Sequence, residues 1–81
     1  MPVTVWLSNT LATASFKVNY IGGYKPELEA ELYNSVGQLV ARFQVTESVD
    51  VSVEELAAGV YYCRLRSSGV PVLTEKVVKV R

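Results

Sequence analysis

Glu27-Leu28-Glu29-Ala30-Glu31-Leu32-Tyr33 alternates carboxylate with hydrocarbon, and Asn34-Ser35-Val36-Gly37 follows it at once. Successive side chains of a strand point to opposite faces, so Leu28, Ala30 and Leu32 share one side and the glutamates the other. The next four residues predict a hairpin. Asparagine suits the start of a type I turn, and Gly37 accepts the left-handed conformation that matches the twist of flanking strands. Residues 39–45 form the return strand, with Leu39, Ala41, Phe43 and Val45 expected on one side.

Working outward, the same period recurs. Residues 15–21 set Phe16, Val18 and Tyr20 against Lys17 and Asn19; Gly22-Gly23 and Pro26 then interrupt pairing. Residues 3–7 make a first strand, broken by Ser8-Asn9-Thr10. Beyond the hairpin, Thr46-Glu47-Ser48 is a break, and Val49, Val51 and Val53 alternate again. Ser52 and Glu55 have capping-box spacing, which predicts a single helical or 3₁₀ turn over residues 53–58, ended by Gly59. Residues 60–66 and 71–80 pair through Ser67-Ser68-Gly69, with Pro71, which has no N–H to donate, at the start or edge of the last strand. Seven short strands and fifteen valines in 81 residues predict an all-β fold, an antiparallel sandwich of about seven strands in two sheets. No linker or repeat divides residues 1–81, so a single domain is expected.

Composition narrows the function. Ordering a chain this short costs on the order of 100 kcal/mol of conformational entropy, which the 49% hydrophobic content must offset. Eight basic residues balance eight acidic ones with no like-charged block, against a nucleic-acid partner. No apolar run is long enough for a transmembrane segment, and Met1-Pro2 lead into Val3-Thr4-Val5-Trp6-Leu7 without the pattern of a signal peptide. The single cysteine forbids an internal disulfide. Cys63 shares the inward parity of Tyr61 and Leu65 and reads as a small buried hydrophobe.

Chemistry is sparse. With no histidine, the Ser-His-Asp, Cys-His and usual zinc arrangements are absent, and no glycine-rich loop precedes a helix. Glutamates two apart on a strand are separated by about 7 Å, so Glu27, Glu29 and Glu31 read as a solvated face and not as a cation site. No enzyme activity, cofactor or metal is expected. The aromatics Trp6, Tyr20, Tyr24, Tyr33 and Tyr62 read mostly as packing. Tyr62, of outward parity, and Tyr24, in the Gly/Pro loop, are the two placed to meet a ligand.

Three stretches together resemble a known family. Leu32-Tyr33-Asn34-Ser35-Val36-Gly37-Gln38-Leu39-Val40 is similar to the "L-Y-D/N-x-x-G-x-x-V" hairpin of the C-terminal sorting domains of the bacterial type IX (Por) secretion system. Leu56-Ala57-Ala58-Gly59-Val60-Tyr61 resembles that family's "L-x-x-G-x-Y" motif, and Glu75-Lys76-Val77-Val78-Lys79-Val80-Arg81 its "K-x-V-x" terminal strand. The resemblance implies an Ig-like sandwich and a non-enzymatic address label on a larger cargo protein. Such a label folds in the periplasm and is engaged by the outer-membrane secretion machinery, which delivers the cargo to the cell surface or the medium. A sortase-like protease commonly removes it during surface anchoring. Carried over residue by residue, Gly37, Gly59 and Tyr61 serve shape, while Lys76, Val78, Lys79 and Arg81 form an exposed determinant for the translocon. Recognition by strand addition and by side chains are both open at this level.

One stretch departs from the family pattern. Where many members carry "Y-P-N-P", this chain reads Val5-Trp6-Leu7-Ser8-Asn9-Thr10 and keeps only Asn9, which leads to the expectation of a label retained rather than cleaved. The competing expectation is an Ig-like adhesion or structural module that binds protein or carbohydrate through Tyr24, Tyr62 or a loop.

Overall fold

The computed structural model describes residues 4–21, 28–45 and 49–81. Met1 to Val3, the loop with Gly22, Gly23, Tyr24 and Pro26, Glu27, and the break at residues 46–48 lie outside the described residues. Eight strands run in the order β1 (Thr4–Ser8), β2 (Leu11–Ala12), β3 (Ser15–Ile21), β4 (Leu28–Asn34), β5 (Leu39–Val45), β6 (Val49–Ser52), β7 (Gly59–Ser67) and β8 (Val70–Lys79). They form one sheet ordered β1-β3-β6 and a second ordered β2-β8-β7-β4-β5. The all-β, two-sheet expectation holds, with one strand more than expected.

The extra strand is β2. Its two residues pair in parallel with Val78 and Lys79, so the fold is not wholly antiparallel. The chain reaches β2 by crossing from one sheet to the other at Asn9, which has φ 58°. Asparagine tolerates that left-handed geometry better than most residues do. Three strands facing five, with the first strand divided between the sheets, follow the immunoglobulin-type arrangement.

The core is where alternation puts it. Leu28, Ala30 and Leu32 from β4 meet Phe16 and Val18 from β3, Val45 from β5, and Cys63 and Leu65 from β7, all essentially buried. Leu39 departs from its expected side. A register shift pairs Leu32 with Ala41 but Tyr33 with Leu39, leaving Val40 as the extra residue. A bulge of this kind resets parity, and Leu39 is 44% exposed.

Turn chemistry is local. Gly37 (φ 86°) closes a three-residue loop, its N–H donating to the Asn34 carbonyl at 3.0 Å. The Asn34 Oδ1 accepts from the N–H groups of Val36 and Gln38 at 3.1 and 3.0 Å. Ser68 and Gly69 (φ 51° and 82°) form a two-residue type I′ loop between β7 and β8. Residues 53–56 form a single turn of 3₁₀ type, the Leu56 N–H donating to the Val53 carbonyl at 3.0 Å, and it does not extend into a helix over residues 53–58. Ser52 Oγ accepts from Glu54 N–H at 3.4 Å, not from Glu55, so the capping box is not made. Gly59 has φ 154° and opens β7.

Tyr61 explains why this corner is ordered. Its hydroxyl donates to the Ala57 carbonyl at 2.7 Å while its ring is buried in the core. A tyrosine near the start of this strand, two residues before a cysteine and bonded to backbone just upstream, is a tyrosine corner. Here the cysteine is unpaired. Burial pushes the Cys63 thiol up to about 12, with the Glu75 carboxylate adding to the shift. A thiol this protonated reacts only when the fold opens. Native alkylation by iodoacetamide at pH 8 is therefore expected to run at least about a thousandfold slower than in the unfolded chain. Mass spectrometry of timed quenches checks this; comparable rates would place Cys63 at the surface.

Glu31 corrects the reading of its strand face as solvated. It points outward yet is only 4% exposed, because its neighbours cover it. Its Oε1 accepts from Arg66 Nε at 2.9 Å and from the Tyr33 hydroxyl at 3.0 Å, and its Oε2 from Arg42 Nη2 at 3.2 Å. The Arg66 bond, helped by Tyr33 and Arg42 and opposed by burial, holds its carboxyl below the ordinary value of 4.5. A carboxylate lowered on folding contributes stability above its unfolded pKa and loses it as pH falls through the folded value. The melting temperature of the wild type should therefore fall toward that of Glu31→Gln as pH drops below 4.5. Parallel melts from pH 7 to 2 measure it; a gap between the two proteins that stays constant would remove Glu31 from acid sensitivity.

Candidate recognition surface

The terminal strand carries the four residues marked as a determinant, and alternation divides them. On β8, Leu73, Val77 and Lys79 face the core, whereas Thr74, Lys76 and Val78 face outward. Lys76 and Arg81 are exposed and Val78 is half-buried. Lys79 is not the exposed residue it was expected to be. It is 9% exposed, and its Nζ donates to the carbonyls of Val53 and Glu54 at 3.0 and 3.4 Å. Its ammonium pins the terminal strand to the turn that precedes β7. The sheet thus brings Lys76 and Val78 together on one face and turns Lys79 away from them.

Both sides of the last part of β8 are occupied. Tyr61 and Gly59 of β7 lie opposite Val77 and Lys79. On the other side Val78 N–H donates to the Thr10 carbonyl at 2.7 Å and Val80 N–H to that of Ala12 at 2.8 Å. A strand cannot add here without displacing β2. Over Val70–Lys76, by contrast, β8 pairs only with β7 among the described strands.

Cross-strand register assembles a surface around Lys76 and Val78. One row on the outer face of the five-stranded sheet reads Leu11, Val78, Val60; the next reads Leu39, Tyr33, Tyr62, Lys76. Leu11 is 71% and Tyr62 42% exposed. Beside them Arg64 lies with its Cζ 5.6 Å from the centre of the Tyr33 ring, a cation–π contact. Tyr33, Tyr62, Arg64 and Thr74 line a shallow recess of about 360 Å³ closed by the Asn34–Gly37 turn. Among the described residues neither Arg64 nor Lys76 forms an ion pair. An apolar, aromatic strip flanked by two uncompensated cations suits a protein surface of complementary shape and acidic character.

Gly37, Gly59 and Tyr61 border this surface and hold the turns beside it. The sequence reading missed Leu11, Tyr33, Leu39, Val60 and Arg64. Outward parity on β7 marks Val60 and Arg64 alongside Tyr62, and was available. Nothing local marks Leu11, whose place depends on pairing with a strand 67 residues later. Trp6 lies on the outer face of the other sheet, opposite Asn19, and Tyr24 lies outside the described residues. Trp6 therefore does not share a patch with Tyr62. The described residues contain no cluster of three metal-ligating side chains and no helix long and apolar enough to cross a membrane.

A family model described as a secretion system C-terminal sorting domain matches residues 12–80. The match takes in the Asn34–Gly37 hairpin, the Tyr61 corner and the terminal strand, and it leaves out β1 with the divergent stretch at residues 5–10. No curated protein matches the chain at a significant level.

Proposed function

The chain belongs to the family of secretion system C-terminal sorting domains, and on that premise we propose that it acts as a folded, non-enzymatic type IX sorting signal read through the outer face of its five-stranded sheet. The observation that carries the reading is the match over residues 12–80. The exposed strip around Lys76, Val78 and Tyr62 supplies the surface. Secretion machinery at the outer membrane is the partner, and a larger cargo protein, held in the periplasm in transit and then delivered outside, is the load.

Side-chain recognition is favoured over strand addition at residues 77–80, since β2 and β7 already satisfy that backbone. Lys76, Val78 and Arg81 are the determinants, and Lys79 supports them from beneath. A sortase-like protease removes the domain from members whose cargo is anchored; the divergence at residues 5–10 favours retention in this one. Mass spectrometry of the mature parent decides that point, because a product lacking these residues excludes retention.

The test of the function is a fusion of the 81-residue chain to the C-terminus of a periplasmic reporter, in hosts with and without the type IX machinery. Reporter at the surface or in the medium of the first host alone is the expected result. Reporter confined to the periplasm of both would overturn the proposal and favour the adhesion or structural module.

A further inference from the structure

Arg64 does not pair with the acid that faces it. Register sets it directly opposite Glu31 across β4 and β7, yet that carboxylate is engaged by Arg66, Tyr33 and Arg42 instead. A carboxylate offers about four acceptor positions, and Glu31, only 4% exposed, has no room for a third guanidinium. Arg64 lies over the Tyr33 ring, and the Tyr33 hydroxyl is tied to Glu31 at 3.0 Å, so the platform beneath the guanidinium is fixed. An arginine held on an aromatic face keeps the edge of its planar fork available. Among the described residues, every hydrogen bond and ion pair from an arginine side chain belongs to Arg42 or Arg66.

Arg64 lines the recess of about 360 Å³ beside the Asn34–Gly37 turn, and among the described residues it is the one charged group in that lining. Thr74 stands across from it on β8, and Tyr62 across from Tyr33 on β4. Ligand pockets run from about 300 to 1,000 Å³, so this one suits a side chain and its neighbour. The two cations of the outer face differ in what they can do. Lys76 is an exposed point charge, fit to steer an approaching partner. Arg64 is half-buried, so an anion docked on it sheds water, and a planar carboxylate matches its fork with two parallel bonds. Beyond the recess the apolar row of Leu11, Val78 and Val60 continues the surface. A protein covers such a row, and a small free anion does not.

We propose that the recess anchors an aspartate or glutamate side chain of the partner protein, with Arg64 as its bidentate donor and an apolar neighbour of that acid lying on Tyr62 and Val60. The inference rests on the outer face being the recognised surface, and adds which residue there selects the partner. Arginine and tyrosine together are the residue types that most often dominate an interface.

Two blocked tripeptides probe the recess, one with glutamate between two phenylalanines and one with glutamine in its place. Each is titrated into the 81-residue chain and followed by amide chemical shifts, with inorganic phosphate as a third probe. The glutamate peptide is expected to bind at least about tenfold more tightly than the glutamine peptide, shifting Tyr62, Arg64 and Thr74. Arg64→Lys keeps the charge but not the fork; it should erase that preference while the melting temperature moves by less than about 4 °C. Equal affinity for the two peptides, no binding of either, a preference that survives Arg64→Lys, or phosphate binding as tightly as the glutamate peptide would overturn the inference. In the reporter fusion, Arg64→Lys should lower surface delivery about tenfold. Normal delivery of that variant beside an exported wild type would strike the recess alone, whereas a wild type that is not exported would strike the sorting reading.

Discussion

Deleting Lys79–Arg81 is expected to lower the melting temperature by more than about 12 °C, although these residues look like a disposable tail in the sequence. Hydrogen bonds from a charged donor each contribute about 1.5–3 kcal/mol, and Lys79 makes two, at 3.0 and 3.4 Å, to carbonyls in the turn before β7. The deletion also removes Val80, whose N–H holds β2 through the Ala12 carbonyl. The loss comes to about 3–5 kcal/mol, against a total of about 4–12 kcal/mol for a chain of this length. Lys79→Met keeps the length and the hydrocarbon stem but loses both bonds, and should cost about 3 kcal/mol. Thermal unfolding followed by circular dichroism measures both. A truncated chain that melts with the intact one would restore Lys79 to the surface and leave the turn unsupported by it. Loss of secretion on deleting the tail therefore cannot by itself identify a recognition residue, because the deletion also undermines the fold that presents the signal.

Lys79 also illustrates what a sequence conceals. Period-2 alternation sorted Leu28, Ala30 and Leu32 inward because each strand face is a local property, set by the residue's own parity. The hairpin at Asn34–Gly37 and the turn ended by Gly59 were legible for the same reason, since backbone constraints act over four or five residues. Three other outcomes depend on partners remote in the chain. β2 is too short to show a period, and exists because β8 returns beside it. Leu39 lost its expected side to an extra residue in the ladder, which only the partner strand reveals. Glu31 kept its outward parity but lost its solvent, because Arg66 lies 35 residues away and folds over it. Lys79 combines both effects: inward parity was visible, whereas the two carbonyls that make its burial tolerable come from a turn 25 residues earlier. The family motifs were legible because they consist of turns and local alternation. The surface they support was not, since it is assembled from β2, β4, β5, β7 and β8 across the sheet.

The sharpest separation of signal from scaffold comes from Tyr62→Asp combined with Lys76→Glu. These residues face each other across β7 and β8, both are exposed, and neither contributes to the buried core. Surface substitutions of this kind usually move stability by only about 0.5 kcal/mol each, so the melting temperature should change little. Delivery should change greatly. Central interface residues commonly contribute 2 kcal/mol or more, and reversing the charge at the aromatic strip turns complementarity with an acidic partner into repulsion. A fall in surface reporter of about thirtyfold is expected, with folded protein accumulating behind the outer membrane. Lys17→Glu is the matched control: it reverses one exposed charge on the outer face of the other sheet, on β3 opposite Asp50. Normal delivery of the double variant, or equal loss in the control, would remove the outer face of the five-stranded sheet from recognition. In that case the edge of β8 over Val70–Lys76 becomes the next surface to block, because among the described residues its backbone, unlike that of residues 77–80, is paired on one side alone.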